Sequence, residues 1–338
     1  MAADQKLNPE MKLAKEIYEG RFDDVKMVPT RFGYGDGLKE AGEKNKDVVV
    51  LGADITASTK ADVFQKAFPD RFFDMGIAEQ NMVGVAAGLS LVGKIPFGCT
   101  YGVFCSGRPW DQIRTTVCYA NLNVKLGGAH GGISVGPDGA THQALEEISI
   151  MRPIPNMTVI TPTDYFETRK ATVAVAEMKG PAYVRFGREK VPIITTEDTP
   201  FTIGKAEIYR EGDDASIIAC GVMVYESLLA AHKLAAEGIQ CKVINIHTTK
   251  PIDVGAIREA ARNGAIVTAE EHQVIGGLGS AVAEIVTQNC PVPIRMVGVQ
   301  DRFGESGQPD ELMNAFGLTH KEIIEAVHSV LERKKKCK

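Results

Sequence analysis

In Asp47-Val48-Val49-Val50-Leu51-Gly52 a short, unbroken apolar run follows an acid and ends in glycine. A strand that is half exposed alternates apolar with polar residues, whereas a continuous β-branched run of this length belongs in a sheet covered on both faces. Such a sheet needs helices on either side. They follow: Glu79 to Leu91 places Met82, Val85, Ala86 and Leu89 at helical spacing, and Phe104 to Cys118, His142 to Met151 and Asp164 to Met178 carry similar patterns. Between them Ile95 to Thr100, Asn123 to Leu126, Met157 to Thr161 and Ala182 to Phe186 read as further strands. The alternation predicts an α/β fold with an open parallel sheet.

From Glu189 to Lys205 the pattern lapses into a stretch rich in proline, threonine and acids, read as a domain boundary. It then restarts. Strands are predicted at Ala215 to Ala219, Lys242 to Ile246, Ala265 to Ala269 and Ile294 to Gly298, with helices at Val224 to Glu237, Val254 to Asn263, Ser280 to Asn289 and Lys321 to Arg333. The expected organisation is therefore an N-terminal extension (1–25), a first open-sheet domain (26–190), a linker (191–205), a smaller second α/β domain (206–333) and a basic tail (334–338). Both ends are expected to be peripheral. The length of 338 residues suits two domains at about 150 residues each.

A net charge of −5 gives no positive field for phosphate backbones, so nucleic acid is not expected as a partner. No apolar run reaches the roughly 20 residues of a membrane span, and the first 24 residues lack a secretory core. Seven cysteines form no Cys-x-x-Cys pair and no zinc spacing, which suggests thiols in a reducing cytoplasm.

Ligands of parallel sheets bind beyond the carboxyl ends of the strands. Asp54 lies just past the first run, and Glu79 opens an apolar helix where the dipole favours a carboxylate, as it would for any ordinary helix-terminal acid. The least ordinary stretch is Gly127 to His142, which holds six glycines, Asp138, His130 and His142. A glycine-rich connection of this kind is either mobile or a place of close backbone approach, and its histidines could orient a substrate, move protons, bind phosphate or simply be satisfied in the fold. No third ligand stands at a metal-binding spacing, so no metal site is assigned to this chain. Gly35-Asp36-Gly37 has the form of a cation and diphosphate motif, but no asparagine occurs between Asn45 and Asn81 to complete it. The triplet is read as accidental, at the edge of the first helix.

Taken together, Gly52-Ala53-Asp54-Ile55, Met75-Gly76-Ile77-Ala78-Glu79-Gln80-Asn81-Met82, Gly136-Pro137-Asp138-Gly139-Ala140-Thr141-His142-Gln143, and Glu270-Glu271-His272 with Gly276-Gly277-Leu278-Gly279 resemble the carboxyl-terminal half of transketolase. The resemblance runs from about Val28 to about Leu331. It implies a pyrimidine-binding domain for thiamine diphosphate followed by the transketolase C-terminal domain. The family's amino-terminal, diphosphate-binding domain has no counterpart here, so the chain resembles one subunit of a split enzyme. Its implied companion is an N-terminal subunit that holds most of the Mg2+ and diphosphate site, with homodimer contacts as well.

The implied activity moves a two-carbon ketol unit from a ketose phosphate to an aldose phosphate through a carbanion of thiamine diphosphate, the chemistry of the pentose phosphate pathway. By match of position Glu79 is the cofactor-activating acid, Tyr101 and Phe104 pack on the aminopyrimidine, and Asp54 lies near the cofactor. His142 contacts the reacting sugar oxygens and Asp138 a substrate hydroxyl, while His130, Arg31, Ser58 and Arg188 lie at the sugar phosphate. The second domain supplies none of these groups, which implies a structural or interface role. Three departures, Tyr101 for phenylalanine, Gly107 for a third aromatic and Ala140 for proline, leave the sugar pair open. The β subunit of a 2-oxoacid dehydrogenase shares the plan and the glutamate, and deoxyxylulose-phosphate synthase the loop. Asp138 to His142 favours transketolase over the former, and the domain content argues against the latter. A non-catalytic paralogue would require loss of Glu79, Asp138 and His142, which are present.

Overall fold

The computed structural model describes residues 6–336. Its first sheet has seven strands, in the order Thr248–Lys250, Thr158–Ile160, Ala182–Arg185, Lys125–Ala129, Ile95–Tyr101, Val48–Gly52 and Phe72–Asp74. All neighbours are parallel except the first pair. Along Val48–Gly52 the side chains alternate between two apolar layers: Val48 and Val50 join Leu38, Phe64 and Phe97, and Val49 and Leu51 join Met82, Ile113 and Leu126. Burial on both faces is what its unbroken apolar character requires.

A second sheet of five strands, Ile294–Val299, Ile266–Gln273, Ala215–Ala219, Cys241–Asn245 and Glu207–Arg210, is parallel apart from its last strand. The fold is α/β in two domains of this kind. No helix among the described residues is long and apolar enough to cross a membrane.

Several expectations need correction. The first 25 residues are not peripheral where described: Leu7, Leu13, Ile17, Phe22 and Val25 are buried in the core of the second domain, with Tyr209, Leu228 and Ala231. The Asn8 amide donates to the Tyr209 carbonyl at 2.9 Å, so this segment covers an edge strand that would otherwise be open. The basic tail is likewise largely helix, continuing His320–Lys336, and Lys334 Nζ donates to the Asp214 carbonyl at 2.8 Å. Cys337 and Lys338 lie outside the described residues.

The expected helix Phe104 to Cys118 is split into Gly102–Gly107 and a π-helical turn Gln112–Cys118, because Pro109 has no N–H to continue the ladder. Gly35-Asp36-Gly37 lies inside the helix Thr30–Lys44 and not at its edge. Its neighbour Gly33 would drive a Cβ to 2.2 Å from the Tyr165 carbonyl oxygen, and Gly37 one to 2.7 Å from Thr172 Cβ, so both let two helices cross closely. Asp36 accepts a hydrogen bond from Tyr165 Oη at 2.7 Å.

The two domains exchange structure. Thr248–Lys250 leaves the second domain to become an antiparallel edge strand of the first sheet, and the linker is held by the buried Asp164, which accepts from the amides of Ile194 and Thr195. Beside it lies a buried polar cluster. Asn245 Nδ2 donates to Glu167 Oε1 at 2.6 Å and lies 3.3 Å from Glu207 Oε2, which also accepts from Tyr209 Oη at 2.8 Å. Burial, with Glu207 and Asp164 facing it, pushes the Glu167 carboxyl well above its ordinary range. Glu167 therefore binds its proton more tightly folded than unfolded, and stability falls as pH climbs from the ordinary carboxyl pKa of about 4.3 toward the raised value. In Glu167→Gln, where the amide can donate to the unpartnered Oδ1 of Asn245 after a flip, urea denaturation between about pH 5 and pH 8 should show a flatter loss of stability than in the parent.

Candidate active site

The carboxyl ends of the parallel strands bring one group of polar and aromatic side chains together. Val48–Gly52 delivers Asp54, Phe72–Asp74 leads to Glu79, Ile95–Tyr101 ends on Tyr101, Lys125–Ala129 leads to His130, and Ala182–Arg185 leads to Arg188. Arg31 comes from the first turn of the facing helix.

Glu79 begins the helix Glu79–Leu91, and only 4% of it is exposed. Asp74 Oδ1 accepts from the Gly76 amide at 2.9 Å and the Asp54 amide at 3.3 Å, and Gly76 adopts φ 65°, so this turn sets where the helix starts. The Glu79 carboxylate accepts from Arg108 Nη1 at 2.8 Å, and the Arg108 guanidinium lies over the Phe104 ring, 4.0 Å from its centroid.

A continuous set of contacts runs from there. Phe104 and Tyr101 meet edge to face at 5.8 Å, and His142 packs edge-on against both at 5.2 Å. Tyr101 Oη donates to Asp138 Oδ2 at 3.2 Å, and the other oxygen of Asp138 accepts from Arg188 Nη1 at 2.9 Å. The Tyr101 ring also stands 4.5 Å from His130, whose Nε2 is 3.3 Å from Ser58 Oγ, and Arg31 Nη1 donates to the Ser58 carbonyl at 3.0 Å.

Electrostatically the site has two ends. Burial, with Arg31 and Arg188 nearby, pushes His130 down to about 3, so its ring is neutral throughout the physiological range. Burial and Arg188 also lower Arg31. Arg31 Nε and His130 Nδ1 are buried without a hydrogen-bond partner. A buried Arg31 N–H left unsatisfied, near the second guanidinium of Arg188, suits an anion carried by a ligand.

Nine of the ten expected site residues thus share one contact network. Asp54 stands apart: it is exposed with φ 62°, and among the described residues its carboxylate makes no hydrogen bond. Arg108 was not anticipated, although its place four residues after Phe104 on a helical pattern, where the two side chains stack, was the available signal.

The second domain does more than flank the site. Glu271 Oε1 accepts from the Ser134 amide at 2.8 Å, and Gln143 Nε2 lies 3.1 Å from the Ile133 carbonyl and 2.9 Å from that of Glu305. The glycine-rich segment is therefore clamped, with Gly132 at φ 95° pressed against the Glu271 carboxylate and Gly139 at φ 75° against Ser306. Glu270 caps the helix Leu278–Asn289 through the amides of Leu278 and Gly279, both at 2.7 Å, which accounts for the Glu-Glu-His and Gly-Gly-Leu-Gly pairing.

The pyrimidine-binding domain profile of transketolases matches residues 26–193, and the transketolase C-terminal domain profile matches residues 204–323. The chain belongs to the transketolase family. It is 49% identical over 302 residues to a 6-deoxy-6-sulfo-D-fructose transketolase subunit of Clostridium sp. (strain MSTE9), an alignment covering 89% of this chain and 94% of that one. With an apulose-4-phosphate transketolase subunit of Phocaeicola vulgatus it shares 38% identity over 294 residues, 86% of this chain and 94% of that one. Among solved structures it is similar to one described as a split gene transketolase, inactive β4 tetramer, with a TM-score of 0.85 and 48% identity over 91% of this chain and 99% of that one.

The clamp on the glycine-rich segment gives a direct test. In Gly132→Ala the new Cβ would meet Glu271 Oε1 at 2.1 Å on a backbone that L residues rarely adopt, so urea denaturation should register a loss of about 2–4 kcal/mol. Gly107→Ala, where a Cβ meets open space, should leave stability unchanged in the same assay.

Proposed function

We propose that this chain is the carboxyl-terminal subunit of a split transketolase that moves a two-carbon ketol unit from an anionic ketose to an aldose, together with an N-terminal subunit holding Mg2+ and the diphosphate of thiamine diphosphate. The single observation that carries this reading is a buried carboxylate, Glu79, joined through Arg108 to the Phe104–Tyr101 ring pair, which leads on through Asp138 to the cationic Arg188. The residues present fit the pyrimidine half of the cofactor: a desolvated acid able to hydrogen-bond a ring nitrogen, beside aromatic surfaces able to take a flat heterocycle. When bound, thiamine diphosphate supplies the electron sink for breaking and making the carbon–carbon bond.

The protein groups do the rest. Glu79 holds a proton or a negative charge at a ring nitrogen, in a site dry enough for that bond to count heavily. Tyr101 and Phe104 exclude water from one face. His142, held at Nδ1 by Thr141 Oγ1 at 2.9 Å, presents its other nitrogen for the sugar oxygens, and Asp138 orients a hydroxyl. Arg31, Arg188 and neutral His130 receive the anionic terminus. The named relatives act on a sulfonated and a phosphorylated sugar, so a phosphate and a sulfonate are both candidate termini here. The Gly-Asp-Gly triplet of this chain is consumed by helix packing, which supports the assignment of Mg2+ to the companion. A similar chain that is inactive as a β4 tetramer fits the same need for a companion.

Two measurements test the proposal in the reconstituted two-chain enzyme. Glu79→Gln should lower kcat by about 10²–10³-fold with little change in KM and an unaltered circular dichroism spectrum; near-parental turnover would remove the assignment. Arg31→Ala should raise KM about tenfold or more for phosphorylated and sulfonated ketoses while leaving a neutral ketose unaffected; an equal loss on both would show that Arg31 does not meet the anion.

A further inference from the structure

We propose that Arg108 is a built-in stand-in for the pyrimidine, occupying the cofactor's place in the free chain and leaving when the cofactor loads; this rests on the reading that Glu79 and Phe104 receive that ring. The guanidinium is flat, conjugated and rich in N–H donors. Here it makes two contacts at once: an N–H bond to Glu79 Oε1 at 2.8 Å and a stack over Phe104 with Cζ 4.0 Å from the centroid. An aminopyrimidine hydrogen-bonded to Glu79 and packed on the same face of Phe104 would make the same pair of contacts, so the two groups would compete for one place.

The need for a stand-in follows from desolvation. Glu79 is 4% exposed, and a carboxylate buried to that degree is strongly disfavoured without a partner. Arg108 supplies one. Its own side chain is 47% exposed, so it has a path back to water that Glu79 lacks. Arg108 follows the end of the short helix Gly102–Gly107 and precedes Pro109, so its side chain departs from the exposed end of that helix.

Occupation by Arg108 means that cofactor binding must first break an ion pair, and until then the guanidinium shields the Glu79 carboxylate. Removing the guanidinium should weaken the free state and favour the loaded one, by linkage.

The test uses calorimetric titration of thiamine diphosphate with Mg2+ into the reconstituted two-chain assembly, and thermal denaturation of this chain alone, for the parent, Arg108→Ala and Arg108→Lys. The expected result is a Kd about fivefold lower in Arg108→Ala with a lower Tm of the free chain, and Arg108→Lys, which keeps the charge without the flat stack, in between. An unchanged or higher Kd in Arg108→Ala overturns the proposal, since it would make Arg108 a bystander or a ligand of the loaded site. If the parent assembly fails to bind thiamine diphosphate at all, the pyrimidine reading of Glu79 and Phe104 falls first and this inference with it.

Discussion

Arg185 is the group on which the arrangement of the site depends. It ends a central strand, is buried, and forms an ion pair with the equally buried Glu147 while its Nη2 donates to the carbonyls of Glu271 at 2.7 Å and Ala144 at 3.2 Å. One planar side chain therefore joins the first sheet, the segment following the glycine-rich loop and the second domain. A buried ion pair is weak evidence for stability in itself, because desolvation offsets most of the attraction. Its value here is positional: five donors in a fixed fork leave few alternative packings, and breaking the pair would strand a charge.

From that anchor the division of labour in the site follows. The second domain contributes no side chain to the nine-residue network, yet Glu271 and Gln143 with Glu305 determine the path of the loop that carries His130, Asp138 and His142. Strained glycine backbone is tolerated because groups from another domain hold it in place. Asp138 in turn sits between Tyr101 and Arg188, so one acid fixes both a tyrosine hydroxyl and an arginine of the cationic end. Positioning of this kind is where binding energy becomes rate.

The interface between the domains is more than a hinge between independent units. An edge strand from the second domain completes the first sheet, the opening residues of the chain complete the second core, and a buried polar cluster of Glu167, Glu207 and His247 lies at the junction. Such exchange couples the stability of the two domains and keeps the loop clamp in register with the strands that present Tyr101 and Arg188.

Local pattern alone determined the two alternating α/β units, the strand at Val48–Gly52, the helix at Glu79–Leu91 and the identity of the polar residues past the strand ends, because periodicity and burial on both faces are properties of neighbours in the chain. The resemblance carried by Gly136 to Gln143 added roles for those residues. What the tertiary structure decided are contacts between residues far apart: Leu13 and Ile17 in the second domain's core, Thr248–Lys250 in the first sheet, Glu271 against Gly132, and Arg108 on Glu79. None has a periodic signature. A charged N-terminal segment looks solvated until a hydrophobic edge is there to receive it, a glycine loop looks mobile until a carboxylate is packed against it, and an arginine looks like surface until a buried acid needs its charge.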